Sequence, residues 1–185
     1  MTRFSLRRLR FGCGALVVAL VLTSTPAQAE LKLFPSLRVA GGMAVSTQEE
    51  PAISAALDVH AGVMLGFHGD AGLLLPELGY SHASHSTENL ATLGALVAIG
   101  PSGDWNSILL GGGLYGLLGS RDGQLAGGGR VTAHVGALDD EVFFEASWQL
   151  LDVNHTLVNA WRGELGVNLT VAFTKWVIAP NFKSW

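Results

Sequence analysis

From Leu31 onward the chain alternates apolar and polar positions in one stretch after another, the period of strands whose successive side chains point to opposite faces. The cleanest run is Trp161–Phe173. Trp161, Gly163, Leu165, Val167, Leu169, Val171 and Phe173 form one string; Arg162, Glu164, Gly166, Asn168, Thr170 and Ala172 form the other. This run is longer than an ordinary globular strand of about 5–6 residues. It suits a tilted membrane-crossing strand, which takes roughly 9–11. The apolar string ends in an aromatic on both sides, where interface girdles sit.

Seven more segments repeat the pattern. The alternation predicts strands over Leu31–Ala44, Ala52–Phe67, Ala71–His82, Leu90–Gly100, Trp105–Leu118, Leu125–Ala137 and Glu141–Leu151. Polar breaks separate them at Ser46–Pro51, His68–Asp70, Ala83–Glu88, Pro101–Asp104, Gly119–Gly123, Leu138–Asp140 and Asp152–Thr156. Pro76 lies inside the third segment and cannot donate to a ladder, so an irregularity is expected there. The expected fold is all-β: an eight-stranded, antiparallel, up-and-down transmembrane β-barrel over residues 30–174, with 175–185 as a tail. An even strand count puts both termini at one end. With that end in the periplasm, the breaks at Ser46, Ala83, Gly119 and Asp152 face outside, as slightly longer loops.

Alternation alone does not say which face is inside; side-chain content does. The minor face carries Arg38, Asp58, His60, Glu77, Arg130, His134, Glu145, Arg162 and Glu164, acids and bases able to pair across a narrow lumen. The major face carries aliphatic residues and Trp148, Trp161 and Phe173, the expected aromatic girdle. Backbone in hydrocarbon must pair every N–H and C=O, and only a closed barrel leaves no edge. A soluble lipocalin-like barrel is the rival architecture, with the faces reversed.

In strand count, dyad pattern and the aromatic-ended Trp161–Phe173, residues 31–173 resemble the small eight-stranded outer-membrane proteins of Gram-negative bacteria, the class of the OmpA membrane domain and OmpX. The resemblance implies outer-membrane lipid and lipopolysaccharide as surroundings, with periplasmic chaperones and the barrel-assembly machinery as partners during biogenesis. Such proteins commonly end their last strand on an aromatic that the machinery reads. Here Phe173 and Trp185 both compete for that role.

Composition adds an export route. Residues 1–10 hold four arginines and no acid, Phe11–Thr23 is apolar, and Ala27-Gln28-Ala29 is a small-residue cleavage site, so residues 1–29 read as a signal peptide for general secretion. The surroundings of Arg7-Arg8 match a twin-arginine signal poorly, and Cys13 precedes the apolar core instead of following it, so lipidation there is not expected. Without the leader, seven Lys and Arg stand against fifteen Asp and Glu, a balance of −8 that argues against nucleic acid. Cys13 is the only cysteine, so the exported part has no thiol chemistry.

Candidate chemistry is sparse. His82-Ala83-Ser84 resembles the H-x-S element of outer-membrane lipid A deacylases, a resemblance that implies His82 as base and Ser84 as nucleophile, with Glu88 the nearby acid. A solvated loop explains the same residues. His60, His82, His85 and His134 lack the convergent spacing of a zinc site, so neither metal nor cofactor is expected. Gly111–Gly113 and Gly127–Gly129 lack the Lys-Ser/Thr of a phosphate loop. The expected role is non-enzymatic: a monomeric outer-membrane barrel with a structural or surface-contact task and a lumen plugged by paired charges. The alternatives are a narrow solute pore, a lipid A-modifying hydrolase and a soluble periplasmic ligand-binding barrel.

Overall fold

The computed structural model describes residues 32–47, 52–67, 72–84, 86–100, 108–138, 140–174 and 176. The leader, the tail beyond Trp176, Lys175, His85, Asp139, Trp105, and the breaks at Gln48–Pro51, His68–Asp70 and Pro101–Asp104 lie outside them.

Eight strands follow one another: β1 (Lys32–Ser46), β2 (Ala52–Phe67), β3 (Gly72–Ala83), β4 (Glu88–Ile99), β5 (Leu109–Arg121), β6 (Gln124–Ala137), β7 (Val142–Val153) and β8 (Thr156–Asn168). Each pairs antiparallel with its sequence neighbours, and β1 meets β8 to close an up-and-down barrel. Strand phase decides what faces inward. Even-numbered residues of β1, β2, β4, β6 and β8 and odd-numbered residues of β3, β5 and β7 turn to the interior. The other set is mostly apolar and turned away from the interior, as at Leu93 (71 % exposed) and Leu165 (63 %).

Pro76 interrupts one ladder. Gly62 pairs with Glu77 and Leu65 with Leu74, while the residues between them are unpaired across β2–β3. Gly62 stands so close to the Pro76 carbonyl that a side chain there would collide with it.

The last strand differs from the expected one. It starts at Thr156 and stops at Asn168, so Trp161 lies within β8 and Phe173 lies off it, in a short helix α1 (Leu169–Phe173). Two local effects cause the shift. Asn154 and His155 both take positive φ (47° and 67°), so the chain reverses within two residues and pairing resumes at once. At the other end the Asn168 side chain accepts the Val171 N–H, an N-cap that bends Leu169–Phe173 into a helical turn despite its alternation.

The remaining boundaries move by a few residues, because polar residues at the rims still pair. Asp122-Gly123 is likewise a two-residue turn with positive φ (51° and 77°). Two of the four connections expected to be longer are therefore the shortest. Two residues join β5 to β6 and β7 to β8, whereas Gly100–Ile108 joins β4 to β5 at the end where β1 starts and β8 stops.

Candidate functional site

Inward-facing side chains from all eight strands fill the barrel, and the nine charged or histidine residues picked out by alternation are all buried in it. They form two networks stacked along the axis. Toward the two-residue hairpins, Asp58 on β2 is held by Arg130 of β6 and, at 3.0 Å, by Arg162 of β8. Both arginines also donate to the Ser81 hydroxyl (2.6 and 2.5 Å), and Arg162 reaches Glu164 at 3.0 Å. Gln149 accepts from Arg130 (3.1 Å) and donates to Glu88 (2.9 Å). Glu88 also meets Arg121 (3.4 Å), whose other nitrogen donates to Ser46 at that mouth. Three arginines thus face three acids.

Toward the end where β1 starts and β8 stops, Arg38 is the one arginine among acids of the described residues. It donates to Glu77 of β3 (2.9 Å) and Glu145 of β7, and stacks 4.1 Å over the Phe143 ring. Glu77 also receives the Tyr115 hydroxyl at 2.5 Å and lies 3.0 Å from His60 Nδ1. His134 places Nδ1 3.0 Å from Glu145 and Nε2 2.7 Å from Asp140, a turn residue folded back into the mouth. His60 Nε2 lies 3.9 Å from Asp58 and connects the two networks. A charge removed from water is stabilised only by close partners, and here each arginine has a carboxylate beside it, although the Nε atoms of Arg38, Arg130 and Arg162 have no hydrogen-bond partner among the described residues.

Apolar clusters fill the rest of the interior: Leu73, Leu75, Leu96, Ala98 and Leu109 in one, Leu90, Tyr115, Leu117, Ala126 and Leu151 in the other. An eight-stranded barrel has about the bore that side chains can fill, and this one is filled by both means.

Several members of the lumen are not marked by charge alternation. Glu88 and Arg121 read as turn residues but sit on strands that run past their last apolar position. Tyr115 lies on β5, which is apolar on both faces, whereas Phe143 and Gln149 share the inward parity of Glu145 on β7 and could have been found by extending its phase. Asp140 could not, because its return to the interior depends on positive φ (71°) in the turn.

The expected girdle is only partly assembled. Trp148 and Trp161 are cross-strand partners on the outer wall of β7 and β8, while Phe173, off the strand, is exposed on α1.

The residues singled out for acyl transfer do not converge. His82 faces outward with Nδ1 3.1 Å from Asn89, and the Ser84 hydroxyl accepts the Ala55 N–H. Glu88 points into the lumen. Among the described residues, no group of three or more His, Cys, Asp or Glu side chains is placed to hold a metal ion.

No protein-family model matches the chain, and none of the curated proteins searched is similar to it.

Proposed function

We propose that the chain is a non-enzymatic integral outer-membrane barrel whose lumen is closed by its ionic networks. One observation carries this reading: the outer wall is apolar almost throughout while the charge is inside. Among the described outward positions of the strands, the polar side chains are His82, Asn89, Ser120, Asp152 and Asn159, all near the hairpin end, and no Lys or Arg is among them. Three of them are tied down at that rim: Tyr80 donates to Asn89, His82 lies against it, and Thr47 donates to Asn159. Contiguous apolar surface of this extent is foreign to soluble monomers, in which patches rarely exceed a few hundred Å². It matches lipid, where a charge on the outer wall costs about 2–4 kcal/mol at mid-depth.

Both ends of the lumen are occupied, by Arg121–Glu88 and by Asp140–His134, which favours a plugged barrel over a solute pore. The two-residue hairpins leave little chain for surface contact, so the reading centres on the wall and the plug. The test is fractionation of the mature protein together with electrophoresis before and after heating. Recovery in outer membrane with a heat-dependent shift in mobility is expected; recovery in soluble periplasm would refute the reading.

A further inference from the structure

At the mouth where β1 starts and β8 stops, a single ring ties a turn into the lumen. His134 on β6 lies between two carboxylates: Nε2 is 2.7 Å from Asp140 Oδ1, and Nδ1 is 3.0 Å from Glu145 Oε1. Glu145 stands directly across the β6–β7 ladder, whereas Asp140 belongs to the turn between those strands and comes back to the ring. The Asp140 side chain is fully buried, and its Oδ2 has no hydrogen-bond partner among the described residues, so His134 is what holds it. The turn is left-handed at Leu138 and at Asp140 itself (φ 55° and 71°), a conformation that such residues keep only under restraint. Gly136, the next inward position after His134, completes the seat. A Cβ there would collide with Asp140 Oδ1 and would lie 3.1 Å from His134 Nε2.

Ionised carboxylates only accept hydrogen bonds, so both ring nitrogens must donate, and a ring that donates from both is positively charged. Arg38 of β1 is the competing neighbour. Its Nη2 lies 3.4 Å from Nδ1 and would suit a neutral ring accepting there, but Glu145 is closer to the same nitrogen and would then face its lone pair. On other sides the ring meets Gly111 across the β5–β6 ladder and the Phe143 ring, 5.5 Å between centroids. The adjacent Glu141 carboxylate accepts the Trp176 indole N–H. Glu77, Glu145 and Asp140 together face one arginine, and that excess of negative charge also favours a charged ring.

We propose that His134 is a buried imidazolium that latches Asp140 into the mouth, and that loss of its proton as pH rises releases the turn. Geometry sets the direction. The latch is complete while the ring is charged; a neutral ring turns a lone pair on one of the two carboxylates. Asp140, with no second hydrogen-bond partner among the described residues and a left-handed backbone to relax, is the one to leave. Glu145 stays, because Arg38 holds it. Release opens this mouth without emptying the lumen, since Arg38 remains on Glu77 and Glu145 behind it. The latch does not need the membrane reading and would work the same way in a barrel in water.

Nitrogen NMR of the folded, histidine-labelled protein in detergent tests it, with the His134 signals identified by their loss in His134→Gln. Both His134 ring nitrogens should be protonated at about pH 7, where an ordinary histidine is mostly neutral. One unprotonated nitrogen would overturn the proposal. The second readout is hydrogen exchange at the Glu141 and Asn168 amides, whose bonds to the Leu138 and Glu141 carbonyls lock the turn that carries Asp140. Their protection, corrected for the intrinsic effect of pH on exchange, should fall by about tenfold or more between about pH 6 and about pH 10. Asp140→Asn should remove most of that fall, because an amide can donate to a neutral ring as well as accept from a charged one, and asparagine tolerates the left-handed backbone. Gly136→Ala should lower the protection at both pH values. Unchanged protection in the native protein, an equal fall in Asp140→Asn, or native protection in a folded Gly136→Ala barrel would each overturn the latch.

Discussion

Arg130 and Arg162, on strands separated by β7, divide one carboxylate and share one hydroxyl: each holds an oxygen of Asp58, and both donate to Ser81. Asp58 is therefore the member that the network can least replace. Asp58→Ala would leave two buried guanidiniums facing each other, at a cost of about 3–5 kcal/mol. Arg130→Ala should cost less, since Arg162 stays on Asp58. Urea unfolding of the folded barrel in detergent, followed by the heat-dependent shift, checks the order Asp58→Ala worse than Arg130→Ala; the reverse order would count against this account.

If the lumen is plugged, opening one mouth should not make a pore. Glu88→Ala and Arg121→Ala remove the pair at the hairpin end but leave Asp58, Arg130 and Arg162 beneath it. Planar-bilayer recordings should show no steady conductance for the native protein or for either variant.

Gly79 faces inward and makes room for the His60 ring, whereas Gly116 faces outward. A Cβ on Gly79 would run into the His60 ring and the Val59 carbonyl, whereas one on Gly116 would find its nearest neighbour, the Leu93 carbonyl, at 3.7 Å. Gly79→Ala should destabilise by about 1–3 kcal/mol. Gly116→Ala should stay within about 0.5 kcal/mol of the native barrel. Comparing the two melting temperatures is sufficient.

Asn168 ends the last strand and begins the helix. Besides capping Val171, its side chain donates to Ser36 at 3.2 Å and is fully buried. Asn168→Ala should cost about 0.5–2 kcal/mol, the usual range for a lost N-cap. Trp176, tied to Glu141 across the same corner, should then emit at longer wavelength as that corner loosens; an unchanged Trp emission spectrum and melting point would argue against it.

Much of the barrel was legible because period two is strict: a residue such as Glu145 or Arg162 cannot change face without moving every neighbour on its strand. The interior leucines were harder. Leu75 and Leu96 point inward, but the leucines outside look the same, and only pairing distinguishes them. Strand ends were least legible. Leu169–Phe173 alternates as cleanly as β8, and a single side chain, the amide of Asn168, bends it into a helix. The short reversal at Asn154-His155 depends on left-handed backbone at two residues that ordinary polar-loop reasoning treats as interchangeable.

The partners of Arg38 have a consequence for assembly. Arg38 sits on the first strand, while its carboxylates come from positions 39 and 107 residues later. Asp58 waits in the same way for Arg162, 104 residues downstream. A chain emerging from its N-terminus thus carries incompletely compensated charges until the final hairpin docks: Arg38 meets Glu77 with β3 but Glu145 only with β7, and Asp58 meets Arg130 with β6 but Arg162 only with β8. The ionic lumen is complete only at closure, which gives the last strand the character of a checkpoint: a barrel whose β8 is missing or misregistered leaves Asp58 with Arg130 alone, short of the second arginine that the finished network supplies.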